Sequence, residues 1–131
     1  MKKNGVLNQE ISQLIASMGH LDKLTICDAG LPIPDYVWRI DLAVVPGVPG
    51  LEIVAKAVAG ELKVQQIILA DELRDRNPKL ASAIREIYKD AEVVFMKHED
   101  FKKISDESRA IIRTGECTPY ANVILVSGVT F

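Results

Sequence analysis

Leu24-Thr25-Ile26-Cys27-Asp28-Ala29-Gly30-Leu31-Pro32-Ile33-Pro34 is the stretch on which the reading of the fold turns. Its first four residues form a short, mostly apolar run suited to a buried strand. The run stops at Asp28, and Gly30, Pro32 and Pro34 can neither continue a strand nor start an ordinary helix. In open α/β sheets ligands bind just beyond the carboxyl ends of such strands.

Working outward, the same alternation of elements recurs. Upstream, Ile11, Leu14, Ile15 and Met18 repeat at spacings that predict an amphipathic helix over 8–18, with Asn8 as N-cap and Gly19 as the stop. Downstream, strands are expected over 38–45, 66–70, 93–96, 110–113 and 122–126. Helices are expected over 51–62, 78–89, where Pro78 suits a first turn, and 99–104. Helices alternating with short apolar strands predict an α/β domain with an open, mostly parallel sheet and helices packed on it. A length of 131 residues suits one domain over 1–131, and 48% hydrophobic content supports a real core. With 5% aromatic residues, that core should be mostly aliphatic.

Charge and cysteine usage narrow the classes of function. The net charge is −2 with no basic stripe, so no nucleic-acid partner is expected. No uncharged apolar run approaches the ~18 residues of a membrane span, and Gly5 to Glu10 interrupts any signal-peptide core after Lys2-Lys3. Cys27 and Cys117 are isolated and read as reduced thiols of a cytoplasmic protein rather than as a disulfide. Phosphate-binding glycine motifs, a G-x-S-x-G elbow and paired-histidine metal spacing are all missing, so neither cofactor nor metal is expected.

The polar candidates each carry two readings. His20 follows a glycine at a helix end, where a cation suits the dipole; a histidine is also the natural proton exchanger near neutrality. Asp28 is either a turn aspartate or an acceptor for ligand hydroxyls. His98-Glu99-Asp100 is either a helix start or part of a site. Asp28 and His98 each follow a predicted strand, so they share a sheet edge if those strands are parallel neighbours. The densest polar stretch is Arg113-Thr114-Gly115-Glu116-Cys117-Thr118-Pro119-Tyr120-Ala121-Asn122. Its hydroxyls, amide and phenol match what a sugar needs, while Arg113 and Glu116 could equally pair to hold a plain loop. The apolar end, Val123 to Phe131, points to burial in the sheet or in a subunit contact.

Five segments together resemble the D-ribose pyranase family and the related fucose mutarotases. They are Lys2-Lys3-x-Gly5-x-Leu7-Asn8, Met18-Gly19-His20-x-Asp22, Asp28-Ala29-Gly30-Leu31-Pro32-x-Pro34, Lys97-His98-Glu99-x-Phe101 and the stretch from Arg113 to Asn122. The resemblance covers essentially the whole chain. It implies an isomerase that converts the pyranose form of free D-ribose to the furanose form used by a ribose kinase. It also implies His20 as proton donor, and Asp28, His98, Tyr120 and Asn122 as sugar-binding residues, with Lys102 at the margin of that set. Ring-shaped homo-oligomers, commonly a decamer of two pentamers with sites near subunit contacts, are implied as well. Two alternatives remain at this point: a mutarotase exchanging anomers of fucose or another aldose, and a non-catalytic sugar-binding accessory protein of ribose uptake. Ring opening and closing moves protons only, which agrees with the expected lack of cofactor.

Overall fold

Five helices and six strands follow one another in a computed structural model that describes residues 1–131. They are α1 (Gln9–Ser17), β1 (Lys23–Cys27), β2 (Trp38–Asp41), α2 (Leu51–Ala59), β3 (Val64–Ala70), α3 (Asp71–Arg76), α4 (Pro78–Ile87), β4 (Glu92–Met96), α5 (His98–Ser105), β5 (Ala110–Arg113) and β6 (Val123–Ser127). The strands form one sheet in the order β2-β5-β1-β6-β3-β4. Every pairing is parallel except those of β6, which runs antiparallel to both β1 and β3. The expected α/β sheet is therefore present, with one inverted strand near its middle.

Side-chain alternation along the strands builds a core on each face of the sheet. Leu24, Ile26, Ile67, Leu69, Ala110, Ile112, Val123 and Leu125 point into the larger core with residues of α1, α2 and α4. Cys27, Ile68, Ile111, Ile124 and Val126 point to the other face, where Phe101 of α5 and Leu31, Ile33 and Val37 cover them. Buried Thr25 and Ser108 hydrogen-bond each other at 2.8 Å, so neither hydroxyl is left unpaired on that face.

The helix ends follow from local chemistry. Asn8 caps α1 by accepting the Ile11 N–H, and Asn77 caps α4 by accepting the Leu80 N–H, with Pro78 in the first turn. Each such cap is worth about 1 kcal/mol.

Some boundaries differ from the sequence expectation. β2 stops at Asp41 because Leu42 donates to the Arg113 carbonyl and Val44 to the Val48 carbonyl, which turns the chain into a tight loop. α3 was not expected: it is almost entirely charged and buries only Leu73. β6 buries the apolar end as far as Ser127, but Val129 and Phe131 stay exposed in the single chain. Both cysteines are free, and burial pushes the Cys27 thiol up to about 12, while Cys117 is exposed.

Candidate functional site

Five strands share one direction, so their carboxyl ends lie along one edge of the sheet, and inverted β6 begins at that same edge. Asp28 follows β1 immediately, His98 opens α5 just after β4, and Tyr120 and Asn122 immediately precede β6. Asp28, His98 and Tyr120 line one cleft of about 280 Å³ together with Gly30, Pro32 and Arg76. That volume lies just below the roughly 300–1,000 Å³ of drug-sized ligand sites. β1 and β4 are not the neighbours that a shared edge was taken to require; β6 and β3 stand between them. The approach of α5 and of the segment before β6 brings their residues together instead.

Asn122 is fully buried and gives its whole amide to Asp28. Its Oδ1 accepts the Asp28 backbone N–H at 2.8 Å, and its Nδ2 donates to Asp28 Oδ2 at 3.1 Å. Asp28 Oδ1 accepts the Gly30 N–H at 3.0 Å. Each carboxylate oxygen keeps an acceptor site for a ligand hydroxyl. The Asp28 turn is also tied to the polar loop. Ala29 donates to the Glu116 carbonyl, and the Thr114 hydroxyl and N–H both donate to the Cys27 carbonyl.

His98, Tyr120, Phe101 and Arg76 form a column. Buried Phe101 lies roughly parallel to the His98 ring at 6.1 Å, and His98 meets Tyr120 edge-to-face at 5.0 Å. The Arg76 guanidinium covers Tyr120 at 5.2 Å from the ring centroid. His98 Nδ1 is buried without a hydrogen-bond partner. Its backbone N–H donates to Glu72 Oε2 at 2.9 Å. Tyr120 has φ +61, a left-handed conformation rare for a residue with a side chain and costing about 1–3 kcal/mol. Such strain persists where surrounding contacts over-determine it, as the column does here.

His20 does not join this cleft within one chain. It precedes β1, whereas Asp28 follows it, and five residues of strand span about 16 Å. His20 is exposed, bonds Gln65 Oε1 through Nε2 at 3.0 Å, and lines a separate groove with Met18, Glu61, Gly128, Val129 and Phe131. The grouping of all five residues at one place in a single chain is thus not what the fold provides.

Arg113 and Glu116 do not pair with each other either. Arg113 Nη1 reaches both oxygens of Asp41 at 3.1 Å, and its Nε donates to the Ala29 carbonyl. Glu116 accepts from the Leu51 N–H at the start of α2 and from Thr118. Partial burial pushes its pKa up, but the hydrogen bonds from Thr118 and Leu51 outweigh this and hold it below the usual carboxylate value. Lys102 is engaged with Glu99 at 2.8 Å. No group of three or more His, Cys, Asp or Glu is placed to hold a metal ion.

Glu72 and Arg76 were not found from the sequence. The only signal was a charged run, Asp71-Glu72-Leu73-Arg74-Asp75-Arg76, directly after a buried strand, where the ligand edge of the sheet lies.

The chain matches the model of the RbsD / FucU transport protein family over residues 1–130. It is 50% identical over 131 residues to a D-ribose pyranase of Geobacillus thermodenitrificans, covering 100% of this chain and 99% of that protein. It is 49% identical over 132 residues to a D-ribose pyranase of Kosmotoga olearia, covering 100% of both. The structure of Bacillus subtilis RbsD complexed with D-ribose superposes with a TM-score of 0.96 at 43% identity, covering 100% of both chains. A fucose mutarotase from Streptococcus pneumoniae shares the fold, with a TM-score of 0.77 at 22% identity over 95% of each chain.

Proposed function

Because the chain belongs to the RbsD / FucU transport protein family, we propose that it is a D-ribose pyranase, an isomerase that interconverts the pyranose and furanose forms of free D-ribose. One observation carries the reading. Asp28, His98 and Tyr120 converge on a small polar cleft, in a chain half identical to D-ribose pyranases along its full length.

The chemistry needs a proton taken from the anomeric hydroxyl and a proton given to the ring oxygen. The C1–ring-oxygen bond then breaks, the open aldehyde rotates about its carbon–carbon bonds, and the C4 hydroxyl attacks C1 in place of the C5 hydroxyl, losing its proton as the C1 carbonyl oxygen gains one. Asp28 accepts sugar hydroxyl hydrogens from the cleft wall. His98 and Tyr120 position the ring, and Asn122 fixes the Asp28 carboxylate. His20 gives the proton to the ring oxygen, as general acid catalysis requires.

His20 reaches the sugar from a second copy of the chain. Its place at the opposite sheet edge supports a head-to-tail contact, and heterologous contacts of that kind form rings where the rotation closes. We assign the assembly as a homodecamer of two pentamers. Exposed Val44, Val45, Val48, Ile53 and Phe131 supply apolar surface for such contacts. Two free thiols support a cytoplasmic location; no helix is long and apolar enough to cross a membrane.

Saturation-transfer NMR on D-ribose tests the proposal. Exchange between pyranose and furanose signals above the spontaneous rate is expected. Exchange confined to α and β anomers of one ring size would make the protein a mutarotase. Binding without added exchange would make it a sugar-binding accessory protein.

A further inference from the structure

α3 lies against the cleft, and its Arg76 is chemically uncommitted. Arg74, on the same short helix, is held by Asp71 and Asp75 and covers Phe95, whereas Arg76 makes no ion pair and sits over the Tyr120 ring, its Cζ 5.2 Å from the centroid. A guanidinium held over an aromatic ring by cation–π attraction is kept at the cleft wall with its N–H groups unspent. Asp28 lines the same cleft. The cleft thus carries an acceptor-only group and a donor-only group, which together match hydroxyls, since each hydroxyl both donates and accepts. The Asp28 carboxylate disfavours an anion there, so neutral hydroxyls fit the free guanidinium better than a phosphate does.

The reaction itself says which hydroxyls. In passing from pyranose to furanose, the oxygens on C1, C4 and C5 all change role. Only those on C2 and C3 keep the same bonds throughout, and in ribose they are cis. A group that holds the sugar through ring opening without obstructing it must hold that pair.

We propose that Arg76 is a substrate-contacting specificity residue whose guanidinium fork donates to the 2- and 3-hydroxyl oxygens, with Tyr120 as the platform that aims it. This rests on the pyranase reading for the choice of diol, but it is tested by binding alone. Affinities for D-ribose and 2-deoxy-D-ribose are measured by titration calorimetry with wild type, Arg76→Ala and Arg76→Lys. Wild type should prefer ribose by about tenfold, the effect of one good charge-assisted hydrogen-bonding pair. Both variants should bind the two sugars within about twofold of each other, with ribose losing clearly more affinity than 2-deoxyribose, which keeps only the 3-hydroxyl; alanine removes the donors, and lysine keeps the charge but not the fork.

A ribose preference that survives in Arg76→Ala overturns the proposal. So does an equal loss for both sugars, which would report only a loosened Tyr120, and so does a wild type that binds neither. A wild type that shows the expected binding cycle but fails to accelerate ring exchange removes the pyranase reading and leaves the diol contact standing.

Discussion

Asn122 grips Asp28 at two points, taking its backbone N–H on Oδ1 and giving Nδ2 to its carboxylate. The two residues are 94 positions apart in sequence, yet this amide and the Gly30 N–H together hold the two oxygens of the carboxylate. Asn122→Ala should leave the Asp28 N–H without its partner and destabilise the fold by about 1–3 kcal/mol. It should also lower the ring-exchange rate by ~10-fold or more as the carboxylate loses its aim. Thermal unfolding and NMR exchange on the same preparation check the two parts separately.

His20→Ala should reduce ring exchange by at least ~10-fold with little effect on stability, because the side chain is exposed and its one hydrogen bond is to Gln65. Asp28→Asn should be similarly impaired. If the site is assembled from two copies, mixing the two variants under conditions of subunit exchange should restore about a quarter of wild-type activity, the share of contacts that pair an intact His20 with an intact Asp28. A mixture no more active than its parts would confine each site to one chain.

Gly115 has no room for a side chain. A Cβ there would lie 2.5 Å from the Val48 carbonyl oxygen and 2.6 Å from the Val48 nitrogen, both backbone atoms. Gly115→Ala should cost about 1–3 kcal/mol and show as a lower urea midpoint with an unchanged slope.

Glu116 should make stability acid-sensitive. Its folded pKa lies below the ordinary value, despite partial burial, because Thr118 and the Leu51 N–H stabilise the charged form. The unfolded chain therefore takes up a proton first, so the stabilisation is present above the unfolded pKa of ~4.3 and is lost as pH falls through the folded pKa. Glu116→Gln should melt lower than wild type at pH 7, and the gap should narrow on acidification. Melting temperatures from pH 7 to pH 3 measure this.

Cys117 is exposed and should react with a thiol reagent at mildly alkaline pH in the folded protein. Cys27, buried and pushed up to about 12, should react only after unfolding. Counting reactive thiols before and after adding denaturant gives one, then two.

Much of the fold was legible because most strands carry an apolar run bounded by glycine, proline or polar residues, and because Asn8 and Pro78 announce their helices. The direction of β6 was not legible. Val123 to Ser127 is buried on both faces, and an apolar run looks alike in either direction. α3 escaped because five of its six residues are charged and a single buried leucine leaves no periodicity. The separation of His20 from Asp28 was in the sequence all along. One short strand lies between them, and the two ends of a strand cannot meet at one sheet edge.

The inverted strand also governs when the molecule becomes competent. β6 comes after every other strand in sequence and is inserted between β1 and β3. Without β6 the sets β2-β5-β1 and β3-β4 have no strand pairing that joins them, and joining them requires a long-range insertion. Tyr120 and Asn122 arrive with that insertion. Joining of the two halves of the sheet and completion of the cleft lined by Asp28, His98 and Tyr120 therefore depend on the same segment of chain.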